Sequence, residues 1–400
     1  MTKRGRYLSA EQAADALNIS LPTLYAYVSR GLIRSEAVGG SKRNRRYSAE
    51  DVERLKARKE ARQNPEKIAQ DALHFGAPLL DSAITLIEDG RLYYRGVDAT
   101  MLAQTHTIEQ VAALLWTGSL ETPLPPVEAS PPGWESTGQL ADGLTVFEQF
   151  QVFLPLAAAA DPAAYDLRPA AVIQTGARIL NLLTSIVAGG QVQDGIAQRL
   201  AGVWCPGEAR ETAKLLGAAL VLCADHELNI SAFTARCVAS AGAAPYAAVN
   251  AGLAALQGTK HGGNTARVEA LLREVGAAEQ AQTVIVERLK RGETIPGFGH
   301  PLYPEGDPRA QTLLAMAAAQ PGLGLPVAVC EAVEAITGEP PNVDFALVAL
   351  ARGLGLPAGA ALTLFALGRT VGWIGHILEQ YATDHLIRPR ARYVGLPPQG

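Results

Sequence analysis

From residue 143 to residue 382 the chain runs through one helical segment after another, and this succession constrains the fold more than anything else in it. Apolar residues recur every three or four positions there, a period that selects helix over strand. Helices are expected over 143–160, 169–187, 195–204, 207–225, 231–241, 245–257, 265–275, 278–291, 307–320, 326–337, 344–354 and 358–382. Ahead of them, LLDSAITLIEDGRLYYRG from Leu79 alternates around an Asp-Gly turn in the manner of short strands, and 108–116 reads as one more helix. The proline-rich stretch 121–134 is a connecting loop. The fold class is therefore mainly α. At 400 residues the chain exceeds one core of ordinary size, so two or three domains are expected. The uncharged run Cys237 to Thr259 contains Pro245, Asn250 and Gln257, which reads as buried helix and not as a membrane span. The opening Met-Thr-Lys-Arg-Gly-Arg has no apolar continuation of the kind a secretory signal carries. Cys205, Cys223, Cys237 and Cys330 show neither a CxxC pair nor metal spacing, so a cytoplasmic protein with free thiols is expected.

The net charge of −4 is unevenly divided: residues 1–62 hold 14 Lys and Arg against 7 Asp and Glu, a local +7, and the remainder carries −11. A cationic end on an anionic chain points to a polyanionic partner for that end. Ser9 is an N-cap candidate for a helix reaching Leu17, Asn18-Ile19-Ser20 breaks it, and Pro22 suits the first turn of a second helix. That second helix, to Arg30, is expected to bury Leu24 and Val28 and to expose Thr23, Tyr27 and Arg30. Gly39-Gly40 then precedes Lys42, Arg43, Arg45 and Arg46, and Ser48-Ala49-Glu50-Asp51 opens a further helix to about residue 62. This order resembles the winged helix-turn-helix domains of the MerR and excisionase type. The resemblance implies that Thr23, Tyr27 and Arg30 face a duplex DNA groove while Lys42, Arg43, Arg45 and Arg46 neutralise phosphates.

Four stretches of the long remainder carry possible chemistry. Ala224-Asp225-His226-Glu227 leads into Asn229-Ile230-Ser231; Gly258-Thr259-Lys260-His261-Gly262-Gly263-Asn264 sets a histidine before a new helix. Pro296 to Ala310, PGFGHPLYPEGDPRA, holds His300 and Arg309 in a loop stiffened by Pro301, Pro304 and Pro308. Asn342-Val343-Asp344-Phe345 opens an apolar helix. Taken singly, His226 also reads as a salt-bridged residue, His261 as a helix-capping group and Asp344 as an N-cap. The absence of a Cys/His metal spacing, a GxSxG elbow and a phosphate loop leaves metal hydrolysis and acyl-serine chemistry without support.

The ordered set DHE…N-x-S, G-x-x-HGG, PGFGH…DPRA, NVDF and R-T-V-G-W…RPRARYVG resembles the citrate synthase family from about Asp81 to Gly395, and DGRLYYRG belongs to it. The resemblance implies a two-domain helical body behind the winged helix-turn-helix. The boundaries expected are 1–64 for the DNA-binding-like domain, 65–262 with 347–400 for a large domain, and 263–346 for a small domain that closes over it. It implies condensation of acetyl-CoA with oxaloacetate to citrate and CoA, an acyltransferase reaction of the tricarboxylic acid cycle. The CoA thioester is a substrate, and no cofactor or metal is expected. His261 resembles the donor to the thioester oxygen, Asp344 the base that removes the methyl proton, and His300 the group that polarises the ketone. His226, Arg309 and Arg369 resemble oxaloacetate ligands, and Arg388 an arginine supplied by the partner subunit of a homodimer. The helix N-terminus after His261 is expected to hold that imidazole neutral. The chain departs from the family pattern at Pro301-Leu302, at Ala346-Leu347 and at Cys223, which bears on acyl-chain preference and CoA affinity. Alternatives are 2-methylcitrate synthesis from propionyl-CoA, or a transcriptional regulator whose enzyme-like body senses a metabolite. Arg288, Lys290 and Arg291 read as an exposed helix face, and His74, His106, His376 and His385 as structural or surface residues.

Overall fold

A computed structural model describes residues 7–30, 32–37, 45–49, 51–52, 55, 80–127, 142–188 and 195–397. It separates into two compact units, 1–81 and 82–400. The expected boundary near Asn64-Pro65 lies outside the described residues.

In the first unit, α1 (Ala10–Leu17) begins at a full capping box, with Ser9 Oγ accepting from Gln12 N and the Gln12 side chain returning to Ser9 N. Asn18 in the left-handed region ends α1, and α2 (Leu21–Ser29) follows after the three-residue break Asn18-Ile19-Ser20. Strands β1 (Tyr7–Leu8), β2 (Ser35–Ala37) and β3 (Arg45–Ser48) form an antiparallel sheet in the order β1-β3-β2. Ala13, Leu17, Leu24, Ile33, Tyr47 and Val52 make its core. One expectation on α2 is corrected. Tyr27 is half-buried against this core together with Val28, and Tyr25 is the aromatic residue left exposed. The reason is helical spacing: Leu24, Tyr27 and Val28 stand at i, i+3 and i+4, hence on one face. Arg30, Arg45 and Arg46 are exposed and Thr23 is partly so, while Lys42, Arg43 and the helix expected to reach residue 62 fall outside the described residues, apart from a few positions of that helix.

In the second unit a short antiparallel sheet, β4 (Thr85–Glu88), β5 (Arg91–Tyr94) and β6 (Val97–Asp98), precedes α3 (Ala99–Thr105) and α4 (Ile108–Thr117). The remaining helices are α5 (Val146–Ala160), α6 (Pro169–Ala188), α7 (Ile196–Trp204), α8 (Ala209–Cys223), α9 (Ile230–Ser240), α10 (Pro245–Leu256), α11 (Asn264–Val275), α12 (Ala281–Lys290), α13 (Pro308–Ala317), α14 (Gly324–Thr337), α15 (Val343–Gly353) and α16 (Ala360–Thr383). Each matches a segment expected from the sequence to within about three residues.

The unit is organised around α16, whose residues 360–377 are buried with one partial exception and which packs on α4, α6, α8, α9, α10 and α15. Gly372 allows the closest approach, since a Cβ there would lie 2.2 Å from the carbonyl oxygen of Ala224. By length and composition α6 and α16 pass for membrane spans, but 61% and 89% of their apolar windows are buried inside the protein, so both are core helices.

Candidate active site

The candidate residues come from helix ends and the loops beside them. The loop 296–300 pairs with 340–342: Gly299 N donates to Pro340 O at 2.8 Å, Asn342 N to Gly297 O at 2.9 Å, and Asn342 Nδ2 to Gly299 O at 3.1 Å. Asn342 also caps α15, accepting from Asp344 N at 3.1 Å. One asparagine thus locks the His300 loop to the turn that carries Asp344. Gly299 adopts φ 70°, a left-handed backbone that favours glycine over any residue with a Cβ.

Three imidazoles converge. The His226 and His300 rings stand edge to face at 5.2 Å, and Tyr303 lies against both, its hydroxyl 3.0 Å from His226 Nε2. His300 Nδ1 accepts from Leu302 N at 3.2 Å, which leaves its proton on Nε2. His261 Nε2 lies 2.8 Å from Ser231 Oγ, and the Trp373 indole donates to that oxygen at 3.1 Å. Ser231 Oγ has one proton and donates it to Asn229 Oδ1 at 2.8 Å, with His261 Nε2 as the other polar atom it could serve. Asn229 Oδ1 already accepts from Ser231 N and Ala232 N. Turning the Ser231 hydroxyl from Asn229 to His261 Nε2 would make Nδ1–H the outward donor of that ring.

All three histidines are neutral at pH 7. Burial pushes His261 down to about 3 and His300 down to about 4, and it holds His226 well below its ordinary value, with Arg309 or Arg369 adding like-charge repulsion. The expected neutrality of His261 therefore has a different first cause: burial and the arginines, ahead of any helix dipole. Its ring lies edge-on to Phe365 at 6.0 Å, and the Arg369 guanidinium covers the same phenyl ring at 5.0 Å.

Arg309 and Arg369 are both buried. Asp307 holds Arg309 by two hydrogen bonds, Nε to Oδ1 at 2.9 Å and Nη2 to Oδ2 at 2.7 Å, and also accepts from Arg309 N and Val343 N. Arg369 donates Nε to Cys223 O at 2.8 Å, while its Nη2 is buried without a partner. A buried guanidinium nitrogen left unpaired calls for an anionic ligand. Asp344 shows the complementary feature: Oδ2 accepts from Asn264 Nδ2 at 3.0 Å, and Oδ1 is buried with no partner. Burial raises the Asp344 carboxyl to about 6 despite that hydrogen bond and the two arginines.

His226, His261, His300, Arg309, Arg369 and Asp344 thus form one electrostatically coupled group. Arg388 is not joined to it within the chain: it lies exposed in the helix-free segment after Thr383. Arg288, Lys290 and Arg291 are tied to Glu274, Glu287 and Glu293. His376 is fully buried against Asp225 at 3.1 Å, His106 is half-buried and His385 exposed, and His74 is outside the described residues. Sequence reasoning missed Asn264, Tyr303, Asp307 and Trp373 as members of the site. Asn264 and Asp307 stand in quoted motifs, but nothing local marks which partner each will meet. Glu227, left-handed at φ 50° beside His226, is a strained position that marks the same region. Among the described residues no cluster of three or more metal-ligating side chains occurs. A separate cavity of about 370 Å³, lined by Ser82 to Leu86 with Arg95 and Gly96, contains none of these groups.

The sequence profile described as "Citrate synthase, C-terminal domain" matches residues 73–390, and one described as "Helix-turn-helix domain" matches residues 7–60. The chain belongs to the citrate synthase family. It is 34% identical over 339 residues to "Putative citrate synthase 2" of Mycobacterium tuberculosis, covering 78% of this chain and 89% of that protein. Against "Citrate synthase 2" of Bacillus subtilis the identity is 40% over 184 residues, 44% of this chain and only 50% of that protein. A "2-methylcitrate synthase" of Shewanella oneidensis is 28% identical over 351 residues, 77% of this chain and 90% of that protein. The crystal structure of citrate synthase from Thermotoga maritima superposes with a TM-score of 0.68 at 26% identity, over 81% of this chain and 96% of that one. The fold is that of a citrate synthase with a helix-turn-helix domain ahead of it, and the protein is a transferase of that family.

Proposed function

We propose that the protein condenses acetyl-CoA with oxaloacetate and hydrolyses the product to citrate and CoA. The observation that carries the reading is a carboxylate at Asp344 with one oxygen buried and unbonded, linked through Asn264 to the His261 turn and through Asn342 to the His300 loop, both imidazoles being neutral. A carboxylate alone is a weak base for a thioester α-proton, so the forming oxyanion must be stabilised as the proton leaves. Asp344 Oδ1 takes the methyl proton while the His261 N–H donates to the thioester oxygen. The resulting enol carbon attacks the ketone carbon of oxaloacetate, and the His300 Nε2–H donates to the ketone oxygen as it becomes the citrate hydroxyl. Water then cleaves the thioester, giving the third carboxylate and CoA thiol. Arg309, Arg369 and His226 hold the oxaloacetate carboxylates, with Arg388 of a partner subunit completing the set in a homodimer. Closure of 263–346 over 65–262 and 347–400 excludes water until the carbon–carbon bond has formed. The reaction belongs to the cytoplasm in this reading.

The amino-terminal domain supports a second role, duplex DNA binding. Arg30, Arg45, Arg46 and Tyr25 are exposed on its helix-turn-helix and β3, and Thr23 is partly so. Lys42 and Arg43 stand beside them in the sequence. Steady-state assays with acetyl-CoA and propionyl-CoA, each with oxaloacetate, test the first reading. Turnover of propionyl-CoA alone would make the protein a 2-methylcitrate synthase, and turnover of neither would leave a sensor. Duplex binding that weakens steeply with salt in the full chain, and is lost in a chain starting near Pro65, tests the second. No binding at low salt overturns it.

A further inference from the structure

Asn264 opens α11 one turn from His261. The turn is tight: Asn264 N donates to His261 O at 2.9 Å and Thr265 N to Gly262 O at 3.0 Å. Gly263 is obligatory within it, because a Cβ there would lie 2.2 Å from Gln257 O. The Asn264 side chain then reaches 80 residues along the chain to Asp344 Oδ2, at 3.0 Å. The amide has one polarity that serves both ends. Its nitrogen faces the carboxylate, and its oxygen accepts from Arg267 Nη1 at 3.5 Å, with Arg267 Nη2 tied in turn to Thr294 Oγ1 at 3.1 Å. This is the side-chain hydrogen bond acting on Asp344, and it favours the ionised form against burial.

Resting on the reading of Asp344 as the base, we propose that Asn264 is its positioning residue: the amide anchors the carboxylate by Oδ2 and leaves Oδ1 as the proton acceptor. A carboxylate that is to take a proton from carbon gains from having one oxygen fixed and the other unbonded. Rotation about its terminal torsion is otherwise broad and would spread the acceptor over many directions. The three-residue turn also ties the thioester-oxygen donor to the anchor of the base, so that His261 and Asp344 move as one unit although their helices are far apart in sequence.

The test compares Asn264→Ala with Asn264→Asp in the full chain. Asp is nearly isosteric with Asn, and an acidic residue in the first turn of α11 favours the helix, so a purely structural role predicts that Asn264→Asp is the milder change. The proposal predicts the opposite order. The ionised carboxylate introduced by Asn264→Asp donates nothing and repels Asp344. At neutral pH kcat should fall about tenfold in Asn264→Ala and about a hundredfold in Asn264→Asp, with KM for oxaloacetate within about twofold. The acid limb of the kcat profile should move up by about one pH unit in the alanine variant and further in the aspartate variant. An Asn264→Asp variant at least as active as Asn264→Ala, or limbs that stay in place, overturns the proposal. Asp344→Asn measured alongside separates the two failures: if that variant turns over normally, the reading of the base has failed. If it is inactive while Asn264→Asp behaves like the unaltered protein, only the positioning role has failed.

Discussion

Removing the charge of Asp307 should destabilise the catalytic unit and weaken oxaloacetate binding in a single substitution. Asp307 and Arg309 are 1% and 2% exposed, and Asp307 accepts from the Arg309 guanidinium, Arg309 N and Val343 N. Asp307→Asn keeps the shape but turns one acceptor into an NH₂ aimed at donors, and it leaves a buried guanidinium uncompensated. Breaking a buried ion pair from one side costs about 3–5 kcal/mol. With an unfolding entropy of about 2.1 cal/mol/K per residue, the unit spanning 82–400 carries about 0.7 kcal/mol/K, so its Tm should fall by roughly 4–7 °C. Calorimetry of the full chain measures this, the catalytic unit giving its own transition. The pH dependence follows from the direction of the shift. Burial alone would raise the Asp307 carboxyl, but Arg309 outweighs it and holds the group below its ordinary value. A depressed carboxyl contributes stability above its unfolded value, near 4, and loses it as pH falls through the folded value. The Tm gap between the two proteins should therefore be full at pH 7 and narrow below about pH 4. A drop under about 1 °C at pH 7, or a gap that widens on acidification, would refute the account of Arg309 as a guanidinium held by Asp307.

Three further outcomes test the site. Asp344→Asn should leave oxaloacetate affinity nearly intact, seen by calorimetric titration, while kcat falls by roughly 10² to 10⁴. In the unaltered protein kcat should decline as pH drops through about 6, because the base works only when ionised, and a profile flat down to pH 5 would contradict the burial of that carboxyl. Arg369→Ala and Arg388→Ala chains, each inactive alone, should partly restore activity when mixed and allowed to exchange subunits, since one site per heterodimer would hold both arginines. Recovery of none, with exchange verified by mass, would argue that Arg388 acts elsewhere.

The local part of this structure was legible in the sequence. Helix period, the Ser9 capping box and the proline and glycine stops are properties of neighbouring residues, and the helices lie within a few positions of where those signals put them. The motifs carrying His226, His261, His300, Arg309, Asp344 and Arg369 were equally plain, because the chemistry requires those residue types. Packing decided the rest. Tyr27 turned inward and Tyr25 outward because the core of the first unit took the face that holds Leu24 and Val28. The neutrality of His261 came first from burial, a quantity no dipeptide contains. The partners that tune the site are distant in sequence: Asn264 meets Asp344 across 80 residues, and Trp373 meets Ser231 across 142. A sequence fixes which groups a chain can offer, but the desolvation of a carboxylate and the choice of its one hydrogen bond depend on which helix ends close on each other. Only the tertiary structure decides that.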